Sequence, residues 1–175
     1  MTSATFETLV TPHLTDLRRF ALHLERDPVR GDDLLQHALE RGLKRLHQLR
    51  DPGAFKGWMS RIVYTTWLDS RRKKSEAPVE QQVLEQRRVT VYSPEHAVAD
   101  RRLGGHIQAA LDRLPASQRE AVWLVDGLGF KFGEAAEVMG VPPGTVASRV
   151  ARARAALEQQ GATLCAAATH DVDRT

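Results

Sequence analysis

The residues best suited to hold a charged partner are concentrated near the end of the sequence. The segment GVPPGTVASRVARAR, residues 140–154, joins a Gly- and Pro-rich turn to a run with three arginines and no acidic residue. A guanidinium ion can form paired hydrogen bonds with phosphate oxygens or with the edge of a guanine. The segment therefore predicts a binding site for a polyanion.

Helical spacing separates the side chains of this segment into two faces. At about 100° per residue, one apolar stripe is predicted to pack on the domain; it consists of Val146, Val150, Ala153 and Leu157. The opposite face carries Ala147, Ser148, Ala151 and Arg152, with Arg149 and Arg154 on its flanks. With the preceding turn and the small residues Ala136 and Gly140, the pattern is typical of a helix-turn-helix.

Such a helix suits the major groove of DNA. Arg152 can donate two hydrogen bonds to a guanine, whereas Arg149 and Arg154 are placed to contact phosphates. Free amides at Gly144 and Thr145, at the start of the helix, would add a site for a phosphate. The alternative is a solvated basic helix whose arginines only complement the helix dipole.

A second basic face is predicted on a helix from about Phe55 to Lys74. Met59, Ile62, Val63 and Thr66 share its core side, and the other side shows Arg61, Tyr64, Leu68 and Arg71, with Trp67 at the border. Aromatic rings among arginines can stack unpaired bases while the cations hold the backbone. Arg71 and Arg72 begin the run RRKK, which would contact phosphates or only end the helix. Tyr64 and Trp67 could instead be core residues, because aromatic side chains usually bury.

Charge and composition favour a soluble binding protein. The net charge is only +3, but residues 1–75 carry 14 Lys and Arg against 9 Asp and Glu. No stretch approaches the length of a membrane span, and Met1 to Val10 lacks the basic-then-apolar pattern of a signal, so neither membrane insertion nor a secretory signal is expected. The lone Cys165 excludes a disulfide framework, and we expect a cytoplasmic protein.

Enzymatic motifs are missing from the sequence. GLGFKFG differs from GxGxxG by one residue, no GxxxxGK, HExxH or GxSxG occurs, and the seven histidines are scattered. We therefore expect no catalytic residue, no metal site and no cofactor.

The periodicity predicts an all-α protein with two small helical domains joined by a flexible linker. Helical spacing is expected from Phe6 to Leu24, with Pro12 marking a start or kink, and a second helix follows Asp32 and Asp33. In the second domain one helix is expected from Leu103 to Leu114, a capping box at Ser117–Glu120 opens the next, and GLGFKF then breaks the chain. The predicted divisions are a first domain at 1–74, a linker at 75–102, a helix-turn-helix domain at 103–160 and a disordered tail at 161–175.

The order of these motifs resembles the extracytoplasmic-function (ECF) group of the sigma-70 family of bacterial RNA polymerase sigma factors. DDLLQHALERGLKRL resembles the segment that binds the polymerase clamp, and FKGWMSRIVYTTWLDSRRKK resembles the segment that recognises and melts the minus-ten element. LPASQREAVWLVDGLGFKFGEAAEVMGVPPGTVASRVARARAAL resembles the domain that reads the minus-thirty-five element. The resemblance runs from roughly Phe6 to Gln160.

The resemblance implies core RNA polymerase and promoter DNA, both double-stranded and melted, as partners, and it leaves room for an anti-sigma factor. It makes Asp33, Gln36 and Glu40 candidates for the polymerase contact. In the second domain, Thr145, Ser148, Arg149 and Arg152 match positions that touch DNA. The loop from Arg50 to Phe55 takes the place of the loop that captures a flipped base; a helix stop would use the same residues.

Several positions depart from the family pattern. Ala147 and Ala151 are small where basic or larger side chains are frequent, and Lys131 stands where Ser or Thr commonly caps a helix. Tyr64 and Thr65 replace a common Arg-Asn pair. The alternative function is therefore a sigma mimic that titrates an anti-sigma factor without directing transcription; a simple repressor would leave the clamp-like helix without a purpose.

Overall fold

The computed structural model describes the backbone of residues 3–75 and 109–172 and the side chains of residues 5–73 and 109–161. These residues form helices joined by turns and contain no strand. The helices are α1 (Ser3–Val10), α2 (Leu14–Glu25), α3 (Pro28–Arg45), α4 (Phe55–Ser75), α5 (Ala116–Val122), α6 (Phe132–Met139) and α7 (Pro143–Val172). Residues 109–112 are also helical.

The chain divides into two compact units: Met1–Tyr92 with Glu137–Gly140, and Ser93–Ala136 with Val141–Thr175. The prediction of an all-α protein with two helical domains is confirmed. The expected linker at 75–102 lies almost wholly outside the described residues. The helix expected from Leu103 is described only from residue 109 onward.

In the first unit, α4 packs against α1, α2 and α3. Phe55, at the start of α4, contacts the rings of Phe6, His13 and Trp58, with centroids 5.8, 6.1 and 5.8 Å away. Glycine permits the closest approaches between helices, since a Cβ at Gly31 of α3 would lie 2.9 Å from the Cα of Leu22 in α2. The backbones of α2 and α3 therefore approach each other closely at Gly31.

The helix ends agree with the prediction at Pro12 and differ from it before Asp32. Pro12 lies in a short 3-10 helix, Thr11–His13, so the start or kink expected there divides the segment into α1 and α2. The next helix begins at Pro28, four residues before Asp32, because the Asp27 side chain accepts a hydrogen bond from the Arg30 amide and caps it. Asp32 instead pairs with Arg18 of α2.

The predicted capping box at Ser117–Glu120 is wrong. α5 begins at Ala116 after Pro115, and no side chain caps it. Glu120 is buried, so its side chain belongs to the interior of the unit. Pro115 ends the preceding turn and fixes the start of the helix by its backbone.

The second unit has a small apolar core around α7. Buried Leu111, Leu114, Val122 and Ala153 form a cluster against which Trp123, Ala156 and Leu157 pack. After α5 the chain continues as a π-helix, Trp123–Gly127, and turns at Gly129, whose φ is 74°. The regular α-helix therefore ends at Val122, before the break predicted at GLGFKF.

The expectation of a disordered tail is wrong for the backbone of residues 161–172, which continue α7 to Val172. The segment is rich in alanine, the best helix former, and contains no proline. No helix among the described residues is long and apolar enough to cross a membrane.

Candidate nucleic-acid interface

The turn before α7 is built as the sequence predicts. Gly140 has φ 67°, a left-handed conformation that favours glycine, and the Val141 amide bonds the Ala136 carbonyl at 3.1 Å. Pro143 opens α7, where its missing amide costs nothing. The turn ends one helix and sets the start of the next, as a helix-turn-helix requires.

The face of α7 that packs inward agrees with the predicted stripe. Val146, Val150 and Ala153 are buried, and Leu157 packs against the core cluster. The opposite side is open, because Ala151 and Arg152 are exposed and Ser148 and Arg149 are half-buried. Neither Arg149 nor Arg152 forms an ion pair with another described residue. Two guanidinium groups of α7 are thus available to a ligand.

Two details at the start of α7 correct the sequence-based picture. The Thr145 amide is not free, since it donates to the Pro142 carbonyl at 2.9 Å. The Ser148 hydroxyl donates to the Thr145 carbonyl at 2.9 Å. Both Thr145 and Ser148 remain half-buried at the edge of the face.

Arg154 is engaged within the protein. Its Nε lies 3.0 Å from Asp126 Oδ2 and its Nη2 lies 2.6 Å from Asp126 Oδ1. These hydrogen bonds raise the pKa of Arg154 above its ordinary value. Asp126 was missed by the sequence reasoning, because 28 residues separate it from Arg154. A lone acid just before a glycine-rich break carries no signal of a tertiary ion pair.

Lys131 also has a role that its type did not suggest. Its backbone amide donates to Glu134 Oε2 at 2.8 Å, and its carbonyl accepts from the Ala135 amide at 2.9 Å. Glu134 therefore supplies one half of a capping box, although position 131 lacks the Ser or Thr of the other half. This bond supports the start of α6.

The basic face of α4 contains arginines but not the predicted aromatic rings. Arg61, Arg71 and Arg72 are exposed, whereas Tyr64 is 7% exposed and Trp67 is 4% exposed. The two rings lie 5.7 Å apart, and the Arg71 guanidinium carbon lies 5.0 Å from the Trp67 ring centroid. The prediction that Tyr64 points outward is wrong, and for both residues the alternative of burial holds.

The physical reason lies in how much of α4 is buried. Buried residues of α4 cover about 200° of the helix at 100° per residue, wider than the single stripe expected for a surface helix. Large aromatic side chains gain most from such burial. Arg71 then lies over Trp67 by a cation–π contact, so the ring lies beneath the cation.

Phe55 is also a core residue, 1% exposed, and its ring does not face solvent. The loop before it is exposed from Arg50 to Ala54 and includes a short 3-10 helix, Pro52–Ala54. The Asp51 side chain accepts from the Gly53 amide at 2.9 Å and shapes the turn. Phe55 therefore anchors the loop in the core, and the open residues are those before it.

The three candidates for a protein contact lie on one exposed side of α3. Asp33, Gln36 and Glu40 are all exposed, while Leu34, Leu35 and Ala38 are buried. Gln36 Nε2 lies 3.5 Å from Glu40 Oε1, so the two side chains are neighbours. This face carries acid and amide groups, in contrast to the arginines of α4 and α7.

The described residues contain no group of His, Cys, Asp and Glu placed to hold a metal ion. Some charged side chains of the first unit form ion pairs that join helices. Arg41 of α3 donates to Thr66 and Asp69 of α4, each at 3.0 Å, and Lys56 lies 2.9 Å from Asp16. These pairs hold α4, which presents one of the two arginine faces, against α2 and α3.

Known families match both halves of the chain. The family model for Sigma-70 region 2 matches residues 9–77, and that for Sigma-70, region 4 matches residues 105–157. The chain is 34% identical over 151 residues to the ECF RNA polymerase sigma factor SigE of Mycolicibacterium smegmatis, covering 85% of this chain and 58% of that protein. It is 36% identical over 155 residues to the ECF RNA polymerase sigma factor SigM of Mycobacterium tuberculosis, covering 87% and 74%.

A solved structure agrees with these relatives. The sigma factor RpoE of Bartonella quintana, in complex with the anti-sigma factor NepR, is 27% identical with a TM-score of 0.72. The match covers 89% of this chain and 96% of that one. The resemblance deduced from the motifs is therefore confirmed, and the chain belongs to the ECF group of the sigma-70 family of RNA polymerase sigma factors.

Proposed function

We propose that this protein binds core RNA polymerase and directs it to promoters by holding the minus-thirty-five element with α7 and the minus-ten element with α4. The observation that carries the proposal is the division of α7 into a buried stripe and an open face. Val146, Val150 and Ala153 fix the helix on its domain, and Arg149 and Arg152 are left available on the other sides. A groove-binding helix needs this division.

At the upstream element, Arg152 reads a base and Arg149 contacts a phosphate. Arg152 is exposed, near the centre of the open face, and its guanidinium can form a fork with guanine O6 and N7. Ala147 and Ala151 on the same helix are small, so a thymine methyl is the contact that they allow. With few side chains reaching bases, DNA shape must contribute to the choice of sequence.

At the downstream element, Arg61, Arg71 and Arg72 hold the backbone of a strand. The described structure buries Tyr64 and Trp67, so the arginines and exposed Leu68 form the surface that meets DNA. The open residues of the loop before Phe55 surround the base that leaves the stack, and Phe55 holds that loop in place. Capturing unpaired bases favours the melted state without any chemical step on the protein.

Polymerase is bound through the exposed side of α3. Asp33, Gln36 and Glu40 present acid and amide groups there, and basic groups on the enzyme would complement them. The opposite side of α3 is part of the first core. The arginine face lies on a different helix, α4. Polymerase can therefore occupy α3 while DNA occupies α4.

An anti-sigma factor is a further partner that we propose, because the related RpoE of Bartonella quintana is described in complex with one. The alternative function, a mimic that titrates such a factor, would keep the fold and lose the DNA contacts. Arg149 and Arg152, which have no described ionic partner, favour initiation over mimicry.

In vitro transcription with purified core polymerase on a promoter library tests the proposal. Initiation predicts transcripts from a subset of promoters that share two spaced elements. Polymerase binding without any specific transcript would contradict it and favour the mimic. Glu40→Arg should abolish transcripts by preventing assembly, whereas the Glu7→Arg control, at an exposed position of α1, should leave them unchanged.

A further inference from the structure

The second unit contains a paired interaction that the expected DNA contacts do not use. Arg154 donates two hydrogen bonds to Asp126, at 3.0 and 2.6 Å, in the fork geometry that arginine and carboxylate prefer. Both side chains are about half exposed, 51% for Arg154 and 41% for Asp126. The pair therefore lies at the rim of the unit and not in its core.

The π-helix determines where Asp126 lies. The Leu128 amide bonds the Trp123 carbonyl at 3.0 Å, so the turn contains one residue more than an α-helical turn. The extra residue rotates Asp126 relative to its place in an uninterrupted α-helix. Gly127 allows this turn to close on Trp123, since a Cβ there would lie 3.2 Å from the ring. A wide turn of this kind frequently marks a functional position.

Arg154 lies beside the buried stripe of α7. Its neighbour Ala153 is fully buried in the cluster with Leu111, Leu114 and Val122. The pair thus joins the π-helix to α7 at the edge of this cluster, on the side away from Arg149. Rotation of α7 about its own axis, which would move Arg152 relative to a groove, would stretch both hydrogen bonds.

We propose that Arg154 is a positioning residue that sets the rotation of α7 through Asp126, and that it is not a phosphate contact. The proposal rests on the proposed function, in which α7 reads DNA. A phosphate at Arg154 would have to displace the Asp126 carboxylate and then lie close to that negative charge. The pair also carries no net charge. Removing both partners should therefore leave unchanged the number of counterions that DNA releases when the protein binds.

The test compares Asp126→Ala, Arg154→Ala, the double variant and the exchanged pair Asp126→Arg/Arg154→Asp in the full chain. Polymerase holoenzyme binding to a promoter duplex is measured across a salt series. Each single variant should weaken binding by a similar factor, roughly 2- to 5-fold for an exposed pair. The double variant should be no weaker than either, the salt dependence should be unchanged, and the exchanged pair should recover binding.

A phosphate contact gives a different pattern. Arg154→Ala would then lower the slope of log K against log salt by about 0.9. Asp126→Ala would leave binding unchanged or strengthen it, and the exchanged pair would bind no better than Arg154→Ala. Any of these results would overturn the proposal.

Amide hydrogen exchange of α7 in the free chain separates this proposal from the proposed function. Both single variants should raise exchange at residues 150–157 by a similar factor, whereas Arg152→Ala should leave it at the unmodified level. Unchanged exchange in Arg154→Ala would overturn the positioning role. Failure of the unmodified holoenzyme to retain any promoter would instead contradict the proposed function and leave the exchange result standing.

Discussion

The two arginine-bearing helices, α4 and α7, differ in what lies beneath their cations. α7 buries one stripe of small and branched residues, and its open face is the one that helical periodicity predicts. α4 buries residues over more than half of its circumference, including Tyr64 and Trp67. Helical periodicity thus predicts the exposed face of α7, which is buried along one stripe, but not that of α4, which is buried on more than one side.

The difference also changes the part played by aromatic residues. On α4 the ring of Trp67 is covered by the Arg71 guanidinium at 5.0 Å, so the aromatic group supports a cation and does not itself face solvent. α7 has no Phe, Trp or Tyr in its described part, and its buried stripe consists of valine and alanine. The face of α4 therefore depends on its core much more than the face of α7 does.

The largest expected effect comes from removing the buried ring of α4. Trp67→Ala should lower the free energy of unfolding by about 3–5 kcal/mol, because it leaves a large cavity. The matched control is Leu68→Ala, whose side chain is 43% exposed and which should change stability by less than about 0.5 kcal/mol. Chemical denaturation of the full chain measures both. Equal effects would show that the Trp67 ring is not the buried support of the α4 face.

The glycines of the two units provide the next comparison. Gly31→Ala should lower the free energy of unfolding of the first unit by roughly 1–3 kcal/mol, with a value near the upper limit. The reason is that the alanine Cβ would lie 2.9 Å from the Leu22 Cα. Gly133→Ala in α6 meets no atom within 4 Å and should stabilise by about 0.5–1 kcal/mol. Thermal unfolding checks the signs, and a stabilising Gly31→Ala would contradict the close approach of α2 and α3.

A change on the open face of α7 should alter sequence preference and leave the fold intact. Arg152→Ala should lose about 1–3 kcal/mol of discrimination at one upstream base pair, without loss of thermal stability. Arg149→Ala should instead weaken all sequences alike, because a phosphate carries no base identity. Transcription from a library randomised in the upstream element measures both. Identical profiles for the two variants would exclude this division of roles.

The smallest effect is the pH dependence of the pair between α2 and α3. Arg18 donates to both carboxylate oxygens of Asp32, at 2.7 and 3.0 Å, and this hydrogen bonding lowers the pKa of Asp32 below 3.8. The resulting stability is fully present above that value and is lost as the pH falls through the lower pKa of the folded state. Because both side chains are about half exposed, Asp32→Asn should cost less than about 1 kcal/mol at pH 7.

Urea unfolding of Asp32→Asn and the unmodified chain at pH 7 and at pH 2 tests this linkage. The difference in unfolding free energy should shrink as the pH falls from 7 to 2, because protonation of the Asp32 carboxyl group removes the charge that pairs with Arg18. A difference that stays constant with pH would show that the pair does not contribute through its charge.

Sequence patterns predicted the helical class and the packed stripe of α7, because periodicity and turn residues act over a few positions. They did not reveal Asp126, whose partner is distant in the chain and whose orientation depends on a π-helix. They also misplaced Tyr64, since its burial is decided by the helices around α4 and not by its own spacing. The cap at Asp27 was missed because Asp32 and Asp33 offered the same local signal.

Site-directed photo-crosslinking in the polymerase–promoter complex tests most directly whether both arginine faces meet DNA. A benzophenone side chain would replace Ala151 on α7 or Leu68 on α4, with exposed Glu7 of α1 as the control position. We predict that position 151 labels the upstream duplex, position 68 labels the downstream segment that melts, and position 7 labels neither. Labelling of the same DNA segment from both faces, or of no DNA from either, would contradict the account.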